Sequence, residues 1–125
     1  MQLLWIGLGG AFGATARYLI SGWMGQWLGA GFPWGTLVVN VLGSFGLAFL
    51  MHVGLTTELV PPNLRLAIGT GFFGALTTYS TFNYEATTLL QERAWGLAAA
   101  SMGGMVVACL VGGLAGLALA RQLFG

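Results

Sequence analysis

Three groups of side chains with chemical capacity stand in stretches that are otherwise apolar. Thr36, Asn40 and Ser44 recur at i, i+4 and i+8 in PWGTLVVNVLGSFG, so a helix would carry them on one face. Asn40 brings two N–H donors and one acceptor to that stripe. The stripe suits either a hydrogen bond that joins helices in lipid or the lining of a polar path. Thr77 through Thr81 set five hydroxyls in a row inside GFFGALTTYSTF, behind Gly69, Gly71 and Gly74, which weaken the helix there. Two conformations fit that run. In one, the helix is continuous and the hydroxyls bond to carbonyls one turn back. In the other, the helix breaks, and the freed carbonyls are hard oxygen ligands for a small cation. Tyr79, Phe82 and Glu85 follow at i, i+3 and i+6, along one face of a resumed helix. An aromatic ring is positive at its edge, so ring edges beside amide and hydroxyl donors suit a small anion. Ordinary packing of the two rings, with Glu85 as a surface acid, is the competing reading.

Arg17, in GGAFGATARY, carries a permanent charge that either draws anions into a vestibule or snorkels to headgroups. His52 stands alone and reads as interfacial. Cys109 is the only cysteine, which excludes an intramolecular disulfide and a cysteine-built metal site; it reads as a small buried apolar side chain. There is no Asp, no HExxH, no GxSxG and no P-loop, and the three Glu lie on separate segments. Transport therefore outranks catalysis. A net charge of +1 gives no reason to expect nucleic-acid binding.

The elements that must position these residues follow from composition. The chain is 57% hydrophobic and 6% charged, against about 25% charged in an ordinary soluble domain. Its 125 residues give room for four apolar spans of about 20 residues each. An all-α membrane protein is expected, a single four-helix domain with spans near 3–23, 34–55, 64–90 and 95–119. A Gly-rich turn at 25–33, TTELVPPN with Asn63 as N-cap, and QERA separate them. Trp5, Trp23, Trp27, Trp34 and Trp95 fall near the expected helix ends, at headgroup level. The first span has no basic lead-in and runs long enough to cross, so it reads as a span and not a cleaved signal.

Four spans place Arg65 and Arg121 on one side of the membrane and Arg93 and Arg17 on or toward the other, so the positive-inside rule fixes no orientation. Such a chain suits insertion both ways and antiparallel pairing of two copies. Gly9 and Gly13, and Gly112 and Gly116, form GxxxG pairs for close helix approach, within a subunit or between subunits.

Taken in order and together, GGAFGATARY, PWGTLVVNVLGSFG and GFFGALTTYSTF resemble the Fluc (CrcB) family of fluoride ion channels over essentially the whole chain. The resemblance implies an antiparallel, dual-topology homodimer in the cell inner membrane, with two fluoride pores and a third helix broken near its middle. It also implies a structural sodium ion at the dimer centre, held by backbone carbonyls that map onto Gly74 and Thr77. Asn40 matches the family's pore asparagine. Tyr79 and Phe82 match its two pore aromatics, with Tyr79 standing where most members have phenylalanine. Glu85 matches an acid near one pore end, Arg17 matches a vestibule arginine, and Ser80 and Thr81 are candidate hydroxyls near the path or the break. Cys109 and Gly113 fall where members often carry Ser and Thr. The implied activity is passive, fluoride-selective export that lowers fluoride toxicity. The alternative is a small dual-topology multidrug/proton exporter, which needs a chamber acid that the first span lacks.

Overall fold

With almost no charge and no water in hydrocarbon, the backbone must satisfy its own hydrogen bonds, and this chain does so as helix nearly throughout. The computed structural model describes residues 1–125 and contains no strand. We number the helices α1 (Gln2–Leu28), α2 (Trp34–Thr56), α3 (residues 62–76), α4 (Ser80–Gln91) and α5 (Trp95–Phe124). Helices α1, α2 and α5 are each long and apolar enough to cross a membrane, so the chain is a multi-pass membrane protein.

The ends differ from expectation where local chemistry decides them. Helix α1 continues through Gly22 and Gly25 to Leu28 and stops at Gly29, whose φ of 85° leaves the helical region. The expected turn at 25–33 is thereby reduced to residues 29–33. Helix α3 starts at Pro62 behind an extended Pro61, so Asn63 lies in its first turn and does not serve as the N-cap. Helix α5 runs past residue 119 to Phe124, with Arg121 in its last turn beside the negative end of the helix.

Helix α3 is composite. A turn of α-helix at Pro62–Arg65 gives way to π-winding over Leu66–Phe73 and returns to α-helix at Gly74–Leu76. The wide stretch packs along α1, and the approach is close enough that only hydrogen fits at the contacts. A Cβ at Gly9 would strike the Ala67 carbonyl, one at Gly13 the Phe72 carbonyl, and one at Gly71 would lie 2.7 Å from the Ile6 oxygen. On the other side of the bundle, Val41 faces Gly112 and the Phe45 carbonyl faces Gly116, so α2 and α5 run parallel with backbones in contact. Both GxxxG pairs are thus consumed inside one chain. Helix α4 wedges against α2 and α5 through a small core of Phe82, Ala86 and Met105, flanked by Leu37 and Cys109. Only 19 of 125 residues are buried, and Leu, Val, Trp and Phe side chains cover the outer surface. That surface belongs against lipid or another apolar partner.

Candidate functional site

Helical winding stops after Leu76 and resumes at Ser80. Thr77 is extended (φ −81°, ψ 154°), so the carbonyls at the end of α3 and the amides at the start of α4 lose their ladder partners. Some of these groups are satisfied locally. Phe73 O accepts the Thr77 N–H at 3.1 Å and the Thr77 hydroxyl at 3.0 Å. Ala75 O accepts the Arg17 Nε–H at 3.1 Å, which sets a guanidinium at the negative end of α3. The Thr81 N–H donates to the Thr78 hydroxyl at 3.3 Å, at the start of α4.

Thr78 itself is gripped across the bundle. Asn40 Nδ2 donates to Thr78 O at 3.0 Å, and Asn40 Oδ1 accepts the Thr78 N–H at 2.8 Å. The amide side chain pairs with the peptide group as a neighbouring strand would, holding α2 to the interruption with two bonds. Its remaining N–H goes to Met105 Sδ at 3.3 Å, a weak acceptor. Asn40 is 9% exposed, so these bonds lie out of bulk water. Several carbonyls are left uncommitted, Gly74 O and Thr77 O among them. Thr77 O accepts no hydrogen bond, and Gly74 O loses its α-helical donor, the Thr78 N–H, to Asn40.

Around Asn40 opens a groove of about 380 Å³ that takes in Ser44, Thr77, Tyr79, Phe82 and Cys109. The Tyr79 and Phe82 rings meet edge to face, 5.7 Å between centroids and 69° between planes. Phe82 is buried under Met105, whereas Tyr79 is 76% exposed on the outer face of the bundle. Cys109 donates its S–H to Met105 Sδ at 3.7 Å, so one wall of the groove is two sulfur atoms.

A second, wider cavity of about 750 Å³ lies toward the N-terminal end of α2 and is lined by Arg17, Ser21, Gln26, Thr36, Thr81 and Glu85 among others. The buried Thr36 hydroxyl donates to Glu85 Oε1 at 2.5 Å, a charge-assisted bond between α2 and α4. The only permanent positive charge in this cavity is Arg17, part of which is turned to Ala75.

The residues singled out in the sequence therefore divide. Asn40, Thr77, Tyr79 and Phe82 share the inner groove with Cys109, while Arg17, Thr81 and Glu85 share the outer cavity. Ser80, exposed, and Gly74 line neither, and Gly113 packs near the Ser44 carbonyl on α2. Thr36, Ser44 and Asn40 do occupy one face, with Thr36 in the outer cavity and the other two in the inner. Sequence reasoning missed Met105, an apolar residue by type that proves to be a partner of Asn40. Ser101, one turn before it on α5, was missed too: it is 2% exposed and its hydroxyl has no partner. The i, i+4, i+8 spacing of Ser101, Met105 and Cys109 was the available signal.

The family model described as CrcB-like protein, Camphor Resistance (CrcB), matches residues 4–117. A protein of Sorangium cellulosum (strain So ce56) is 48% identical over 119 residues, covering 95% of this chain and 94% of the relative. One from Anaeromyxobacter sp. (strain K) is 48% identical over 124 residues, 99% of this chain and 98% of the relative. One from Magnetococcus marinus is 43% identical over 123 residues, 98% of this chain and 100% of the relative. Each of the three bears the name Fluoride-specific ion channel FluC.

Proposed function

The chain belongs to the CrcB family, and from that membership we propose that it is a fluoride-selective passive channel that lets fluoride leave the cytoplasm down its gradient. It is a channel and not an enzyme. What carries the reading is full-length similarity to fluoride channels, joined to a groove lined by both an amide donor and an aromatic pair beside a helix interruption. Fluoride binds water tightly, and a pore conducts it by replacing that water with well-placed donors. The N–H of Asn40 that rests on Met105 Sδ is the donor most easily released, because thioether sulfur is a weak acceptor. Ring hydrogens of Phe82 and Tyr79 supply further positive edges. The outer cavity serves as the vestibule, where Arg17 raises the local anion concentration and Thr81 offers a hydroxyl on the way to Asn40.

We read α3 and α4 as one interrupted third span, which makes four spans in the inner membrane. Two copies in antiparallel orientation would bring the groove faces together, cover the exposed Tyr79 and give two pores. The balanced arginines support that arrangement, and so does the consumption of both GxxxG pairs within the chain, which leaves the groove face for the second copy. The carbonyls of Gly74 and Thr77 suit a sodium ion between the copies: they are hard oxygens, and the hydrogen bonds around them leave them uncommitted. Such an ion would offset the partial negative charge of these carbonyls and help hold the interruption. The exporter reading finds no support, since α1 holds Arg17 and no acid, and the one acid in the outer cavity, Glu85, is held by Thr36.

Liposomes loaded with potassium fluoride and carrying the purified protein test the proposal. Fluoride should appear at an external electrode once valinomycin balances the charge, with no matching chloride release. Equal chloride release, or none of either ion, refutes it.

A further inference from the structure

Asn40 has been placed at the groove as an anion donor, yet its two shortest bonds go to the backbone of Thr78. The Thr78 N–H is the group that an unbroken α-helix would give to Gly74 O. While Asn40 Oδ1 holds that N–H at 2.8 Å, the Gly74 carbonyl stays free. Arg17 and Thr77 meanwhile take up the Ala75 and Phe73 carbonyls on either side. The hydrogen bonds at the interruption thus close the Phe73 and Ala75 carbonyls and leave Gly74 O open.

We propose that Asn40 is the positioning residue of the cation site: by diverting the Thr78 N–H it keeps Gly74 O available as a ligand, so that one side chain couples the anion groove to the structural cation. This rests on the sodium reading given above and extends it to a residue that touches no cation. Without the amide, the Thr78 N–H returns to Gly74 O, α3 gains one more hydrogen bond, and a ligand oxygen is closed off. The hydrogen bond that forms over it corresponds to about tenfold in sodium affinity.

The test uses the dimer in detergent and reads its thermal stability as sodium replaces N-methyl-D-glucamine at constant ionic strength. Wild-type stability should rise with sodium, since a ligand bound only by the native state stabilises it. In Asn40→Ala the sodium midpoint should move up by about tenfold, or the response should vanish. The second variant is Asn40→Ala with Thr78→Pro. Proline has no N–H to return, and Thr77 already holds the extended conformation that a residue before proline requires. This double variant should regain the sodium response without regaining fluoride flux. Phe82→Ile should retain the response while its fluoride flux slows.

An Asn40→Ala dimer with the wild-type sodium midpoint overturns the proposal, as does a folded double variant that stays insensitive. If Asn40→Ala yields no folded dimer, the double variant decides alone, with a restored response supporting the proposal and its absence ending it. A wild type indifferent to sodium removes the cation site and this proposal together, and the liposome assay judges the channel separately.

Discussion

Gly43 lies on α2 with its α-hydrogen against the methyl group of Thr77, the extended residue at the interruption, and a Cβ added there would overlap Thr77 Cγ2. The Thr77 rotamer is fixed by its hydroxyl, which donates to Phe73 O at 3.0 Å. Turning the methyl aside gives up that bond, at about 1 kcal/mol; forcing it in place costs about 1–3 kcal/mol as an overpacked contact. Against this, Ala gains about 1 kcal/mol over Gly within a helix. The net expectation for Gly43→Ala is a loss of about 0–2 kcal/mol. The sign should invert once the methyl is gone. After Thr77→Ser, the nearest atoms to the new Cβ are Thr77 Cβ at 3.6 Å and Phe73 O at 3.9 Å, both ordinary contacts. In that background Gly43→Ala should stabilise by up to about 1 kcal/mol, while the serine hydroxyl keeps the bond to Phe73. A double-mutant cycle on thermal unfolding in detergent should therefore give a coupling of about 1–3 kcal/mol. Fluoride efflux from liposomes should fall in Gly43→Ala and recover in the double variant. A coupling near zero, or Gly43→Ala stabilising in both backgrounds, would show that Thr77 is not held against α2 as described.

Three further outcomes are expected. Phe82→Ile removes a ring edge from the groove at small cost to packing, so fluoride efflux should slow several-fold while the protein elutes and melts as a folded species; unchanged efflux removes Phe82 from the path. Glu85→Ala leaves the buried Thr36 hydroxyl without its acceptor and should cost about 1–3 kcal/mol, whereas Glu85→Gln retains the Oε1 acceptor and should melt closer to wild type; equal melting of the two variants contradicts the bond. Cys109→Ser replaces a weak S–H donor with a hydroxyl in the groove wall, so efflux should equal or exceed that of wild type, and a large loss would mean that the sulfur pair with Met105 is required.

The interruption left a mark on the sequence because part of what supports it is local. TTYST supplies hydroxyls that serve loosened backbone, and two of them do so, Thr77 on Phe73 O and Thr78 on the Thr81 N–H. The polar stripe of α2 was legible for the same reason, since i, i+4, i+8 is a property of one helix. What joins the two was not legible. Asn40 and Thr78 are 38 residues apart, and no local pattern says that an amide on one helix will pair with a peptide of another. The π-winding of Leu66–Phe73 was equally hidden, because its glycines read as generic flexibility until α1 is seen pressed against them through Gly9 and Gly13. Met105 escaped because its chemistry here is that of an acceptor, which its residue type does not announce. A consequence follows for Asn40. A residue that lines a path and a residue that holds a helix open both require a buried, neutral group able to donate and accept, so asparagine satisfies either demand and its type cannot tell them apart. The geometry assigns the acceptor and one N–H to the backbone and leaves the other N–H on a thioether. Both roles can therefore coexist in one side chain, with the strong bonds fixing its position and the weak one exchangeable for an anion.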